Sequence, residues 1–266
     1  MSSDRIAAAF ARAASERRAA LVAYLTAYDG GFEHSLSCLL AAIDAGADVI
    51  ELGVPFSDPS ADGPTICAAM VRAREHGATL THVLSLLAQL RAQRDTPVVL
   101  FGYANPLLRR GATRFADDAR AAGADGVLVV DLPPESAAIL REPVRAAGLH
   151  WIGLVAPTTS AARCELVARG ASGFLYAITR AGTTGTALAE ADSDEDAALR
   201  RQLALVRAAT RLPVVAGFGV RTPEHVARLA PHAEGVVVGS ALVEAALAGP
   251  SVLGASVRAL REATAR

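Results

Sequence analysis

The chain has no lysine: each of its 26 basic residues is an arginine. A lysine amine is the covalent handle of Schiff-base aldolases and the anchor of pyridoxal phosphate, so this chain alone performs neither chemistry. Cysteine is scarce as well. Cys38, Cys67 and Cys164 are odd in number, lie far apart and match no disulfide or zinc spacing, which reads as buried or incidental thiols. The six histidines, His34, His76, His82, His150, His225 and His232, form no ligand-like cluster, so surface or helix-packing roles are expected and no metal site. No apolar run reaches the ~18 residues of a membrane span. The first residues, MSSDRIAAAFARAASERRAA, carry charges at Asp4, Arg5, Arg12, Glu16, Arg17 and Arg18 where a signal peptide would be uninterruptedly apolar, and a cytoplasmic protein is expected. A formal net charge of -1 leaves no basic field for nucleic acid or an anionic membrane.

What is present is a strong core signal: 266 residues, 52% hydrophobic and 20% charged. Eight apolar runs rich in Val, Ile and Leu recur: LVAYLTA from Leu21, DVIELGV from Asp48, PVVLFGY from Pro97, GVLVVDL from Gly126, HWIGLVA from His150, GFLYAIT from Gly173, PVVAGFG from Pro213 and GVVVGSA from Gly235. Runs without strict alternation suit strands covered on both faces, as in parallel sheets. Ala- and Arg-rich helical segments such as FEHSLSCLLAAIDAGA and ESAAILREPVRAAG lie between them. The pattern predicts an α/β fold, a single (β/α)8 TIM barrel over residues 1–266 with an extra N-terminal helix. An open doubly wound sheet is the alternative, but it would normally stop at fewer strands. The longest intervals follow the second run, with PFSDPSADGP, and the sixth, with TRAGTTGTALAEADSDED. Both leave the C-terminal ends of strands, where barrel enzymes carry their chemistry.

Glu51 interrupts an aliphatic strand. Side chains alternate along a strand, so Val49, Glu51 and Gly53 share one face and Ile50, Leu52 and Val54 the other. The aliphatic set suits the helix layer, which turns Glu51 into the barrel. Burial there would raise its pKa into the range of a general acid and base. The competing reading is a structural glutamate tied to an arginine or hydroxyl. Asp58 and Asp62 lie in the following loop, where either could be an ordinary turn or cap residue. Asp62 stands out because it falls between an inward glutamate and a helix starting near Pro64. Three later turns are glycine-rich: Gly182 to Gly185, Gly217 with Gly219, and Gly239-Ser240 opening a helix. Together they suit a phosphate held by backbone N–H groups and a helix N-terminus, although glycine also ends strands for steric reasons. Tyr24, Tyr103, Tyr176 and Phe218 fall near upper strand ends and suit either an aromatic substrate group or barrel packing.

In order along the chain, ELGVPFSDPSADGPTI, FGYANP, LVAPTTS, TRAGTTG, GFGV and VVVGSA resemble the tryptophan synthase alpha subunit family over nearly the whole sequence. The resemblance implies aldol-type cleavage of indole-3-glycerol phosphate to indole and glyceraldehyde 3-phosphate by acid–base chemistry. It also implies a beta-subunit partner carrying the pyridoxal phosphate, in an alpha2-beta2 heterotetramer, and no cofactor in this chain. Carried over by position, Glu51 matches the acid–base glutamate and Asp62 the aspartate that engages the indole N–H. Gly185, Gly217, Gly219, Gly239 and Ser240 match the phosphate side of the substrate site, Tyr24, Phe101, Leu128, Tyr176 and Phe218 the indole pocket, and Thr184 is a further substrate-binding position. A partner would accelerate cleavage by ordering the loops around Asp62 and Thr184. The first loop departs from the family's Thr-Ala-Gly-Asp-Pro, reading Thr26-Ala27-Tyr28-Asp29-Gly30. Ser60 stands where the partner-facing loop is often apolar, and the sixth loop is acidic through Glu190, Asp192, Asp194, Glu195 and Asp196. Competing functions are another phosphate-ligand barrel enzyme such as an isomerase, a stand-alone indole-3-glycerol-phosphate lyase, and a barrel that mainly activates its partner.

Overall fold

The structure, a computed structural model, describes residues 4–178, 194–217 and 219–266, with backbone only at 194–196. Thr184, Gly185 and Phe218 lie outside the described residues, as do Gly182, Glu190 and Asp192. After the N-terminal helix α1 (Arg5–Ser15), strands and helices alternate. The first half holds β1 (Ala20–Thr26), α2 (Phe32–Asp44), β2 (Val49–Gly53), α3 (Pro64–Glu75), α4 (Leu80–Arg91), β3 (Val98–Gly102), α5 (Ala104–Arg110), α6 (Ala112–Ala122) and β4 (Gly126–Val129). The second holds α7 (Ala138–Ala146), β5 (His150–Trp151), β6 (Gly153–Val155), α8 (Ala161–Gly170), β7 (Leu175–Ile178), α9 (Asp194–Ala208), β8 (Val214–Gly217), α10 (Pro223–Leu229), β9 (Gly235–Val238), α11 (Ser240–Leu247) and α12 (Pro250–Glu262).

All strand pairs are parallel, in the order β5-β4-β3-β2-β1-β9-β8-β7-β6. The two ends of that order, β5 and β6, are one apolar run divided at Ile152, which closes the sheet into a (β/α)8 barrel. The run pairs with β4 through its first half and with β7 through its second, so the division marks the stagger that barrel closure requires.

Alternation sorts the apolar side chains into two cores. Ile50, Leu52 and Val54 pack with the surrounding helices. Val49 joins Tyr24, Phe101, Leu128, Tyr176 and Val215 inside the barrel. Helix α1 seals the lower end, its Phe10 ring 5.7 Å from Phe174. Arginine accounts for much of that end. Asp48 accepts the Leu21 N–H and pairs with Arg18 at 2.5 Å and Arg12 at 3.1 Å, and Asp125 accepts the Val98 N–H and pairs with Arg5 and Arg91. The planar guanidinium forks bridge helices to strand ends in a geometry that a lysine point charge would not reproduce.

The first loop has a glycine-like backbone at Tyr28, with φ +65°. This left-handed conformation is disfavoured for a side chain by ~1–2 kcal/mol. Stacking of its ring on His82 (5.6 Å) and an edge contact with Phe32 (5.8 Å) offset that cost, while Asp29 takes a two-pronged pair from Arg72. Among the described residues, no helix is long and apolar enough to cross a membrane.

Candidate active site

The upper end of the barrel holds a cavity of about 450 Å³, open mouth included, lined by Tyr24, Glu51, Asp62, Ile66, Phe101, Tyr176, Gly219, Val220, Arg221, Val237, Gly239 and Ser240. Most of the wall is apolar with a few convergent polar groups, the make-up of a small-molecule site. A larger groove, about 980 Å³ between α7 and α8, has only Asp131, Arg141 and Arg163 as titratable groups, none of them buried.

Glu51 stands in the middle of β2, in register with Tyr24 on one side and Val99 on the other. It is 1% exposed, and neither carboxyl oxygen has a hydrogen-bond partner among the described residues. Among the described residues, no arginine or hydroxyl ties it up, as a structural glutamate would require. Burial alone pushes its pKa from 4.5 to about 8, so the group is held protonated at neutral pH. Around it, the rings of Tyr24 and Phe101 meet in a T-shaped contact at 5.2 Å, and Tyr176 completes the aromatic surroundings. Glycines make room for both tyrosines: a Cβ on Gly53 would lie 2.3 Å from the Tyr24 hydroxyl oxygen, and one on Gly217 2.3 Å from that of Tyr176. Gly217 therefore acts on the cavity through Tyr176 and does not line it. Leu128, paired in register with Phe101, is fully buried inside the barrel and also stays off the cavity wall.

Asp62 reaches the cavity from the loop between β2 and α3, which ends where Gly63 and Pro64 start the helix. Its carboxylate accepts the Tyr103 O–H at 2.6 Å, and the same hydroxyl accepts the Ala61 N–H at 3.1 Å. The Tyr103 ring also stacks on Phe56 at 5.0 Å. One residue beyond the end of β3 thus grips the loop at two points. Burial raises the pKa of Asp62 to about 6, while the Tyr103 hydrogen bond opposes that rise. Burial thus raises both carboxyl groups on one cavity, Glu51 further than Asp62, and a separation of that kind suits acid–base catalysis.

Gly239 and Ser240, also on the cavity wall, open α11, whose first N–H groups have no carbonyl to bond within the helix. Gly219, at φ +75°, lies beside them on the cavity wall. The sequence pattern did not reveal Tyr103 as the holder of Asp62 or Arg221 as a wall residue. The first depends on a bond across 41 positions, and the second is one arginine among 26.

Residues 10–263 match the family model described as tryptophan synthase alpha chain. The tryptophan synthase alpha chain of Gluconacetobacter diazotrophicus is 51% identical over 90% of this chain and 86% of its own length. That of Acidiphilium cryptum is 46% identical over 98% of this chain and 93% of its own. Among solved structures, tryptophan synthase subunit alpha from Legionella pneumophila superposes with a TM-score of 0.89 at 36% identity, covering 99% of each chain. Mycobacterium tuberculosis tryptophan synthase gives 0.90 at 33% identity, covering 98% of each.

Proposed function

The chain belongs to the tryptophan synthase alpha chain family and is a lyase of tryptophan biosynthesis that cleaves indole-3-glycerol phosphate, and we propose that Glu51 and Asp62 perform the cleavage. The observation that carries this reading is the buried carboxyl of Glu51, without a hydrogen-bond partner among the described residues, on the same cavity as Asp62, with burial raising the pKa of both and that of Glu51 further. Glu51 gives its proton to indole C3, which makes the ring an indolenine cation. As a carboxylate it then takes the proton of the hydroxyl on the adjacent carbon. The carbon–carbon bond breaks, its electrons return to the ring, and indole and glyceraldehyde 3-phosphate leave Glu51 protonated as it began. Asp62 accepts the indole N–H, whose acidity rises with the positive charge, in a charge-assisted hydrogen bond that strengthens at the transition state.

The indole ring lies against Tyr24, Phe101 and Tyr176 in this reading, and the phosphate meets Gly219, Gly239 and Ser240. A pyridoxal-dependent beta subunit supplies the lysine chemistry that this chain lacks, in an alpha2-beta2 assembly. Ser57, Asp58 and Ser60 form an exposed edge of the Asp62 loop for such a partner. Purified chain incubated with indole-3-glycerol phosphate should release indole, faster as beta subunit is titrated in. An absence of indole at every partner concentration would refute the assignment.

Because activity needs Asp62 ionised and Glu51 protonated, kcat/KM should be bell-shaped, rising through about pH 6 and falling through about pH 8. Tyr103→Phe removes the hydrogen bond that favours ionised Asp62, so the acidic limb should move up by ~0.5–1 pH unit while the alkaline limb stays. Parallel movement of both limbs would contradict the pairing of Tyr103 with Asp62.

A further inference from the structure

Arg221 is the one cationic side chain among the described residues lining the cavity, and it stands on the same wall as Gly219, Gly239 and Ser240. Among the described residues, its guanidinium has one side-chain partner. Nη2 donates to Glu244 Oε2 at 2.5 Å, and Glu244 Oε1 accepts the Thr65 hydroxyl at 3.0 Å. The latch therefore joins the loop after β8 to α11 and to the first turn of α3. Its members are partly exposed, with side-chain exposures of 30% for Arg221 and 44% for Glu244, so the pair is exchangeable and not locked in a core. A guanidinium presents five N–H donors in a fork that fits phosphate oxygens, and a single carboxylate contact leaves most of them free to turn to a second anion.

Resting on the phosphate assignment made above, we propose that Arg221 is a specificity-determining residue for the phosphate end of the substrate, and that Glu244 is the anion it leaves when phosphate arrives. The backbone N–H groups of the glycine turns give shape to the site but carry no formal charge. Arg221 supplies the positive charge that distinguishes a phosphate ester from an uncharged glycerol chain. Glu244 acts in the opposite sense: its carboxylate occupies the fork and repels an incoming dianion. The two residues should therefore have effects of opposite sign on the same ligand, a signature that general damage to the loop would not produce.

The test is calorimetric titration of glycerol 3-phosphate and, separately, of indole into the wild type and into Arg221→Gln, Glu244→Gln and Gly239→Val. Arg221→Gln should weaken glycerol 3-phosphate about three- to tenfold and Glu244→Gln should tighten it about two- to fivefold, with indole unaffected in both and the differences shrinking at high salt. In steady-state cleavage, the Arg221→Gln loss should fall on KM and not on kcat. Gly239→Val separates this inference from the reading beneath it. A Cβ at Gly239 meets its nearest neighbour, Tyr24, at an ordinary 3.7 Å, so the backbone tolerates it while the added methyls crowd the turn. If Gly239→Val weakens glycerol 3-phosphate and Arg221→Gln does not, the role of Arg221 is overturned and the phosphate site stands. If neither variant changes that affinity, the phosphate site itself lies elsewhere. Tighter binding in Glu244→Gln together with weaker binding in Arg221→Gln establishes the exchange, and weakening in both overturns it.

Discussion

Glu51→Gln should give a folded barrel that binds its ligands nearly as well as the wild type and turns over ~10²–10⁴-fold more slowly, the usual contribution of a positioned general acid and base. Glutamine preserves the volume, but its amide has no proton to deliver to carbon. The substitution should also stabilise the protein in a pH-dependent way. Between pH 4.5 and about pH 8 the unfolded chain has released the Glu51 proton and the folded chain has kept it. Stability of the wild type therefore falls with rising pH across that window, and the glutamine variant escapes the loss. Urea unfolding of both proteins at pH 5 and pH 8 should show the difference moving by about 3 kcal/mol in favour of the variant. That is a large share of the ~5–15 kcal/mol that holds a typical domain together. A pH-independent difference would mean that Glu51 ionises normally, and normal turnover by the variant would remove it from the reaction.

Asp62→Asn is the second large effect. The asparagine side chain can still accept the Tyr103 O–H, so the loop should keep its place between β2 and α3. What disappears is a negative charge facing a positive charge that exists only after C3 is protonated. Loss of one preorganised electrostatic contact of this kind costs about 10²–10³ in rate. Since the ground-state indole N–H is neutral, kcat and kcat/KM should drop together with KM little changed. A rise in KM at constant kcat would instead make Asp62 a ground-state binding residue. The acidic limb near pH 6 should vanish from the variant's profile, because the group that produces it is gone.

The sequence made the barrel legible because each strand is an apolar run buried on both faces, and the helices between them carry their own stop signals. The inward direction of Glu51 followed from the two-residue period of a strand, a local rule that tertiary packing did not override. The division of the fifth run at Ile152 was not legible, since it arises from the stagger of a closed sheet and not from any residue type. Gly217 reads in the sequence as part of a phosphate turn. In the folded chain it leaves room for the Tyr176 ring on a neighbouring strand, a relation that register sets and sequence spacing does not. The Tyr103 grip on Asp62 and the Arg221–Glu244–Thr65 latch have the same origin, because side chains far apart in sequence meet only after the barrel closes. Tyr28 shows the reverse case. Where the resemblance leads one to expect glycine, the backbone of this chain takes a left-handed angle with an aromatic side chain in place.

If Glu51 delivers a proton to C3 of the indole ring, hydrogen exchange at that carbon should reveal it without relying on carbon–carbon cleavage. Indole should be incubated in deuterium oxide at pH 7 with the protein and glycerol 3-phosphate, and deuterium at C3 followed by NMR. The wild type should label C3 well above the protein-free rate, and a folded, indole-binding Glu51→Gln variant should not. Equal labelling by the two proteins would contradict it.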